Sequence, residues 1–134
     1  MSNKAKGSNM ERELVQLFAE QGWRALRVAG SGVNDESPCD IIIGKLGHKG
    51  YAIEAKSSKS NYIYIKKSQI EDFMLFASMI GLRPAIAVRF TREGWLFLNP
   101  LDLKDSGKNW VISRDKAKSS GLKFGQFFNE VVLE

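Results

Sequence analysis

The 134-residue chain lacks several features that would place it in other classes of protein. Its single cysteine, Cys39, excludes an intrachain disulfide and a zinc site built from several cysteines, and is typical of a reducing cytosol. No apolar run approaches the roughly 20 residues that a membrane span needs, and residues 1–7 lack the apolar stretch of a signal peptide. We therefore expect a cytoplasmic protein that does not associate with membranes.

The charge balance favours a polyanionic partner. Lysine and arginine number 20 against 15 aspartate and glutamate residues, which gives a formal net charge of +5. A basic domain of this size favours nucleic acid as a partner, although the same charge could serve solubility alone. The length and the 43% hydrophobic content are those of a single globular domain, residues 1–134, with no internal repeats.

Two acidic residues and a lysine stand at the ends of two apolar runs. Asp40 directly precedes the run 41–43, and Glu54 directly follows the run 51–53, with Lys56 two residues further on. If both runs are strands of one sheet, the two carboxylates and the ammonium group can meet at one edge. Because side chains alternate along a strand, Glu54 and Lys56 would share a face.

This set of side chains suits metal-assisted hydrolysis. Carboxylate oxygens from Asp40 and Glu54 are ligands that Mg²⁺ prefers, and a bound ion can activate water against a phosphodiester. Lys56 could orient the water or stabilise developing negative charge. The alternative is an ion pair on a solvated face, since a second acid-x-Lys triplet, Asp102 to Lys104, occurs in a turn-rich stretch. The Asp-Ile-Ile-Ile strand pattern of residues 40–43, which precedes the Glu54 triplet, favours a metal-dependent nuclease.

The first predicted helix carries a further acidic candidate. Ser8 and Glu11 form a capping-box pattern that predicts the start of this helix, Gly22 ends it, and residues 1–7 are expected to lack order. Glu11 is either a capping residue or a metal-site acid that the helix aims at the other carboxylates.

The second predicted helix has more apolar residues than one sheet can cover. Ser68 and Glu71 form a capping-box pattern at its start, and Gly81 closes it. One apolar stripe contains Ile70, Phe73, Met74, Ala77 and Ile80. Three further apolar residues widen that stripe: Leu75, Phe76 and Met79. Large exposed apolar patches usually mark interfaces, so these three predict a homodimer interface.

Alternation and turn signals predict strands around these helices. The predicted strands cover residues 24–29, 39–44, 50–56, 62–65, 85–90 and 95–98. Their order with the helices predicts an α/β domain with a mixed central β-sheet and a helix on each face. The pattern of residues 100–134 assigns no elements.

Several polar residues flank the acidic pair. Arg12, Arg27 and Ser31 could contact phosphates, or could be an ordinary surface pair and a turn residue. Gln69 could orient the attacking water or belong only to the helix start. Three lysines could form a phosphate track with Tyr62 and Tyr64, or only a solvated cluster: Lys59, Lys66 and Lys67.

The ordered set of these motifs resembles the archaeal Holliday-junction resolvases. The segments that carry the resemblance are 6–14, 27–31, Asp40 and 53–56. Gln69 after the basic pair, the strand from Ala85 to Phe90 and the following Gly94-Trp95 extend it over about residues 6–98. The loop between Ser31 and Asp40 is longer than in many members of that family.

The resemblance implies a restriction-endonuclease-like fold and a Mg²⁺-dependent homodimer, with Mn²⁺ as a possible substitute. It implies a structure-selective endonuclease that resolves four-way DNA junctions by paired symmetric incisions, through attack of metal-activated water. Metal ligands would be Glu11, Asp40 and Glu54, with Lys56 and Ser31 as further catalytic residues. DNA contacts would be Lys6, Arg12, Arg27, Lys59, Lys66, Lys67 and Gln69.

Two rival functions remain open from the sequence. One is another restriction-like endonuclease that acts on duplex or branched DNA. The other is a non-catalytic DNA-binding scaffold of the same fold, which the intact Asp40, Glu54 and Lys56 disfavour. For either nuclease, nucleoid-associated cytoplasm is the expected location.

Overall fold

The structure is a computed structural model that describes residues 3–28 and 37–128, with side chains from residue 9 onward. The predicted loop residue Ser31 lies outside the described residues. Among the helices of the described part, none is long and apolar enough to cross a membrane.

The described residues form four α-helices, one short 3₁₀ helix and eight strands. The helices are α1 (Asn3–Glu20), α2 (Lys67–Met79), α3 (Arg114–Ser120) and α4 (Phe124–Phe127), and the 3₁₀ helix is Pro100–Asp102. The first five strands are β1 (Arg24–Arg27), β2 (Ile41–Gly44), β3 (Tyr51–Ser58), β4 (Tyr62–Lys66) and β5 (Arg83–Phe90). The last three are β6 (Leu96–Leu98), β7 (Lys104–Ser106) and β8 (Asn109–Ser113).

Five strands form the central sheet in the order β1-β2-β3-β5-β6. Strands β3 and β5 run parallel, whereas the other neighbouring pairs are antiparallel. The parallel pair requires a crossover, which β4 and α2 supply. The predicted mixed sheet is therefore confirmed.

Helices cover both faces of this sheet. On one face, Leu14 and Phe18 of α1 pack with Ile41, Ile53 and other apolar side chains of the sheet. On the opposite face, apolar side chains of α2 pack against sheet residues in a second core cluster: Ile70, Phe73 and Ala77 against Ala52, Ile86 and Val88. Packing on both faces explains why residues 51–55 of β3 are buried in succession, with no alternation between buried and exposed positions.

The starts of both long helices differ from the prediction. Helix α1 begins at Asn3, so the capping box predicted at Ser8 lies inside the helix. Residues 3–7, which were expected to lack order, are helical. Helix α2 begins directly after β4 and has no side-chain capping hydrogen bond. The Lys67 amide instead donates to the Lys108 carbonyl (3.2 Å), so tertiary pairing replaces the predicted local cap.

The end of α2 follows the prediction in one respect and departs from it in two. Gly81 adopts a left-handed φ of +72° directly after the helix, as its role as a terminator predicts. Ile80, expected on the buried stripe, is 47% exposed. Phe76, expected to be left uncovered with Leu75 and Met79, is half-buried and packs against the core.

The segment after residue 100 builds a second, smaller sheet and two short helices. Strands β4, β8 and β7 form an antiparallel sheet in that order. Its inner face contributes Ile63, Ile65 and Ile112 to the core beneath α2. Helix α4 places Phe124, Phe127 and the adjoining Phe128 among the aromatic rings below α1.

Candidate active site

Backbone hydrogen bonds hold Asp40 at the point where β2 begins. The Asp40 amide donates to the Ile53 carbonyl (2.9 Å), and the Val28 amide donates to the Asp40 carbonyl (2.9 Å). The Ala55 amide donates to Asp40 Oδ2 (2.8 Å). Asp40 is therefore fixed from both neighbouring strands, and its carboxylate lies at the edge of β3.

Glu54 lies on β3 and faces α2. It is only 2% exposed, which makes it the buried charged residue of the described chain. Lys56 Nζ lies 3.3 Å from Glu54 Oε2. Gln69 Nε2 of α2 donates to the same oxygen (2.8 Å). The ion pair between Glu54 and Lys56 is therefore present, but the face on which Glu54 lies is covered by the helix rather than solvated.

Removal from water shifts the acidity of both carboxyl groups. Burial, followed by the nearby Asp40 carboxylate, raises the pKa of Glu54 to about 8. Burial likewise raises the pKa of Asp40, against the opposing effect of the Ala55 hydrogen bond and the Lys56 charge. Two adjacent carboxyl groups that resist ionisation are a site where a bound cation would be stabilised.

The donor set fits a hard divalent cation. Both groups offer carboxylate oxygens, and Mg²⁺ is commonly held by one or two carboxylates while water and substrate phosphate complete its shell. Within residues 3–28 and 37–128, no group of three or more histidine, cysteine, aspartate or glutamate side chains converges as a metal site. The carboxylates of Asp40 and Glu54 are the oxygen donors that lie together at this cavity.

Glu11 lies near this pair but forms an ion pair with an arginine. Arg27 Nε of β1 lies 3.2 Å from Glu11 Oε1 of α1. Burial, followed by the charge of Asp40, raises the pKa of Glu11. Glu11 and Arg27, both predicted as site residues, therefore form an ion pair with each other beside Asp40 and Glu54.

One cavity of about 820 Å³ opens over the acidic pair. Five of its lining residues were predicted from the sequence: Asp40, Glu54, Lys56, Lys66 and Gln69. Tyr64 also lines it, in the position beside Lys66 where the sequence had placed it as part of a phosphate track. Ser37 and Pro38 come from the end of the loop before Asp40, and the remaining lining residues were not predicted: Ser68, Asp72 and Asn109. Only the pairing of Lys66 with Asn109 brings the late segment here.

The remaining predicted DNA contacts lie elsewhere. Lys59 lines a separate cavity of about 590 Å³, together with residues of β3 and of the β5–β6 turn. Lys67 Nζ lies 2.7 Å from Asp105 Oδ1 and 4.8 Å from the Trp110 ring centroid, so its charge is already paired. Arg12 is exposed on α1, and Lys6 lies in the first part of the same helix.

The fold and the site together define a class of protein. A mixed sheet that carries two adjacent carboxylates and a lysine at one edge, beneath an open polar cavity, is the arrangement of a metal-dependent nuclease. The family model for the archaeal Holliday junction resolvase (Hjc) matches residues 2–132. The chain belongs to this family, and the resemblance seen in the sequence is confirmed.

Known relatives agree with this assignment over most of their length. The chain is 38% identical over 120 residues to a crossover junction endodeoxyribonuclease Hjc of Methanocaldococcus jannaschii, covering 89% of this chain and 84% of that protein. It is 33% identical over 131 residues to the Archaeoglobus fulgidus protein of the same name, covering 95% of each. The prediction of an endodeoxyribonuclease is thereby confirmed.

A solved structure shares the fold. The structure of Archaeoglobus fulgidus Hjc, described as a Holliday junction resolvase from an archaeal hyperthermophile, matches with a TM-score of 0.82 and 29% identity. The match covers 96% of this chain and 99% of that chain. The restriction-endonuclease-like fold predicted from the sequence is confirmed.

Proposed function

We propose that this chain resolves four-way DNA junctions by hydrolysing phosphodiesters at Asp40, Glu54 and Lys56, in DNA recombination and repair. The observation that supports this most directly is the pairing of Asp40 with the buried Glu54, with Lys56 Nζ 3.3 Å from Glu54. Its open cavity of about 820 Å³ leaves room for a DNA backbone. Membership of the resolvase family makes junction DNA the substrate to test first.

Asp40 and Glu54 would hold Mg²⁺, with Mn²⁺ as a substitute, and Glu11 would join them through water or after release from Arg27. A bound ion of this kind polarises the phosphoryl group and lowers the pKa of a water molecule. The raised pKa values of Asp40 and Glu54 support this, because a cation would offset the repulsion between their ionised forms.

Lys56 and Gln69 would divide two tasks between them. The Lys56 side chain is 31% exposed, so its ammonium group faces the cavity and can stabilise negative charge on the scissile phosphate. Gln69 donates to Glu54 from the start of α2 and would hold that carboxylate in one orientation. Ser31 would contribute from the loop that lies outside the described residues.

Positive side chains around the cavity would bind the DNA backbone. Lys66 lines the cavity itself, and Lys59 lies beyond the end of β3. Arg12, Arg27, Lys6 and Lys67 would add contacts further out. Because these are phosphate contacts, binding should depend on DNA shape and weaken steeply as salt rises.

A homodimer would present two such sites to two strands. On α2, Leu75 is 60% exposed and Met79 is 77% exposed, and Ile80 extends the same apolar surface. Phe76 contributes only its half-buried ring. A two-fold pairing through this surface would place the two sites symmetrically, which suits paired incisions.

The expected location is the nucleoid-associated cytoplasm.

The test of activity compares a labelled four-way junction with a linear duplex of matched sequence, in Mg²⁺, in Mn²⁺ and in chelator. Symmetric nicks in the junction that require the metal would support the proposal. Equal cutting of both substrates would indicate a less selective nuclease. Junction binding without cutting in either metal would indicate a non-catalytic scaffold and contradict the proposal.

The test of the dimer uses sedimentation equilibrium. Met79→Asp places a charge in the exposed apolar surface of α2, and we expect it to shift the protein towards monomer. Leu46→Asp is the matched control, because Leu46 is 99% exposed in the β2–β3 turn and lies outside that surface. A Met79→Asp protein that sediments like the wild type would contradict the proposed interface.

A further inference from the structure

The small sheet presents an outer face on which two tyrosines stand side by side. Tyr62 is 51% exposed and Tyr64 is 57% exposed, and their ring centroids lie 6.2 Å apart with 31° between the ring planes. Their neighbours along β4, Ile63 and Ile65, are buried on the inner face. Tyr62 and Tyr64 thus lie side by side on the solvent-exposed face, outside the hydrophobic core.

The strand register identifies the rest of this surface. Residues directly opposite each other in an antiparallel pair share a face, so Val111 lies beside Tyr64 and Lys104 beside Val111. Asn109 lies beside Lys66 in the next row. We call this surface the tyrosine face, and its residues are Tyr62, Tyr64, Lys66, Lys104, Asn109 and Val111. Two of the six carry a positive charge and none carries a carboxylate.

The tyrosine face is continuous with the candidate active site. Tyr64, Lys66 and Asn109 line the same cavity as Asp40 and Glu54. A DNA strand whose phosphate enters that cavity would therefore extend its neighbouring nucleotides across Tyr64 towards Tyr62. The lysines of the face would attract its backbone.

Bases that have lost a stacking neighbour suit this face. Exposed aromatic rings on a sheet are platforms on which the bases of single-stranded nucleic acid stack. The ring separation of 6.2 Å exceeds the roughly 3.4 Å step between stacked bases of one duplex strand, so the two rings suit bases that are splayed apart. In linear duplex the stacking of bases is continuous, whereas at a strand exchange point it is interrupted.

We propose that Tyr62 and Tyr64 stack on bases that become unstacked at the branch point next to the scissile phosphate, and so favour junctions over linear duplex. This rests on the proposed junction-cleaving function. It adds a specificity-determining role to a surface that holds none of the metal ligands.

The test measures binding in chelator, so that cleavage does not enter, for a junction and for a linear duplex of matched sequence. We expect Tyr62→Ala/Tyr64→Ala to weaken junction binding by about tenfold or more, since each lost base stack contributes on that order, and to change duplex binding less than twofold. Tyr62→Phe/Tyr64→Phe keeps both ring faces and should bind the junction like the wild type. Leu101→Ala is the matched control, because Leu101 is 81% exposed and lies outside the tyrosine face.

A second measurement needs no variant. Junctions that carry 5-iodouracil at the branch point, irradiated with the wild-type protein, should crosslink to the peptide that contains Tyr62 and Tyr64. Crosslinks confined to other peptides would overturn the proposal. So would an alanine variant that loses junction and duplex binding equally, or a phenylalanine variant as weak as the alanine one.

These outcomes are separate from those of the proposed function. A wild-type protein that fails to nick junctions in any divalent metal overturns the nuclease assignment, whatever its binding shows. A wild-type protein that nicks junctions while the alanine variant keeps full discrimination overturns only the role of the tyrosine face.

Discussion

The two sheets of this molecule use the same alternation of side chains for opposite purposes. In the central sheet, β3 turns Glu54 towards α2, where it is 2% exposed. In the small sheet, β4 turns Tyr62 and Tyr64 towards solvent, where more than half of each is exposed. Alternation decides which side chains share a face, and the layer packed on that face decides whether they become reactive groups or contact groups.

The energetic demands on the two faces differ accordingly. A buried carboxyl group needs partners, and Glu54 has Lys56 and Gln69 on one of its oxygens. An exposed tyrosine needs none, since water satisfies its hydroxyl group. Substitutions in the central sheet should therefore change chemistry and stability, whereas substitutions on the tyrosine face should change which DNA is bound.

The largest expected effect is that of Asp40→Asn. Loss of one of the two carboxylates proposed to bind the metal should lower the cleavage rate by about 1,000-fold or more, since a bound metal ion would supply several kcal/mol of transition-state stabilisation. Junction binding in chelator should be spared. Single-turnover cleavage of a labelled junction checks the first expectation, and a gel-shift titration checks the second.

The control for Asp40→Asn is Asp102→Asn. Asp102 belongs to the other acid-x-Lys triplet and only accepts from the Asn99 amide at the start of the 3₁₀ helix. The Asp102→Asn protein should cut the junction at the wild-type rate. Normal cutting by Asp40→Asn would show that the site has been assigned to the wrong residues.

The second-largest effect is expected on the pH dependence of the free energy of unfolding, measured in the absence of metal. The pKa of Glu54 rises from 4.5 to about 8 on folding, so between those values the folded protein keeps a proton that the unfolded chain has released. Stability should therefore fall as pH rises through this window, by on the order of several kcal/mol in total. Glu54→Gln does not titrate and should lose that part of the dependence.

Urea denaturation midpoints of both proteins at pH 5 and pH 9, in chelator, measure this difference. All other titrating groups are common to the two proteins, so the difference between their pH profiles reports on Glu54 and on groups coupled to it. Identical profiles would mean that Glu54 ionises normally in the folded state. Burial on the central sheet would then have no effect on the ionisation of Glu54.

A smaller effect is expected for Lys56→Ala. Removal of a charged donor aimed at the developing negative charge should lower the cleavage rate by about 100-fold at saturating DNA. Lys118→Ala is a matched control, because Lys118 is half-exposed and pairs with Glu93 on α3's side of the molecule. If both variants cut equally well, Lys56 serves only to neutralise Glu54.

The smallest effect is expected for Gln69→Ala. Gln69 acts through Glu54, so its loss should raise the metal concentration needed for half-maximal cleavage by about tenfold while leaving the rate at saturating metal nearly unchanged. Metal titrations of cleavage separate these two quantities. A lowered rate with an unchanged metal midpoint would instead place Gln69 at the substrate.

The sequence predicted the strands that carry the acidic pair better than it predicted the ends of the helices. Apolar runs before and after turns located Asp40 and Glu54 correctly at neighbouring strands, because strand periodicity is a strong local signal. Both capping boxes were wrong, since α1 begins earlier at Asn3 and the start of α2 is set by β4 and Lys108. A short polar motif competes poorly with helix propagation and strand pairing.

The segment after residue 100 shows why other parts of the fold and of the site could not be predicted from the sequence. Asn109 reaches the active-site cavity only because β8 pairs with β4, a contact between residues far apart in the chain. Phe127 and Phe128 were visible as apolar residues, but nothing local showed that they would join the aromatic cluster around Phe18 and Tyr51. Such contacts depend on surface complementarity that no periodicity records.

The sequence by itself determined the mixed α/β class, the two acidic strand positions with their lysine, and the resolvase family, because each is written in local spacing and residue type. Tertiary structure alone decided that Glu54 is buried, that Arg27 pairs with Glu11, and that Tyr64 faces the catalytic cavity. The physical reason is that the environment of a side chain, including its pKa and its partners, is set by elements that pack on it from distant parts of the chain.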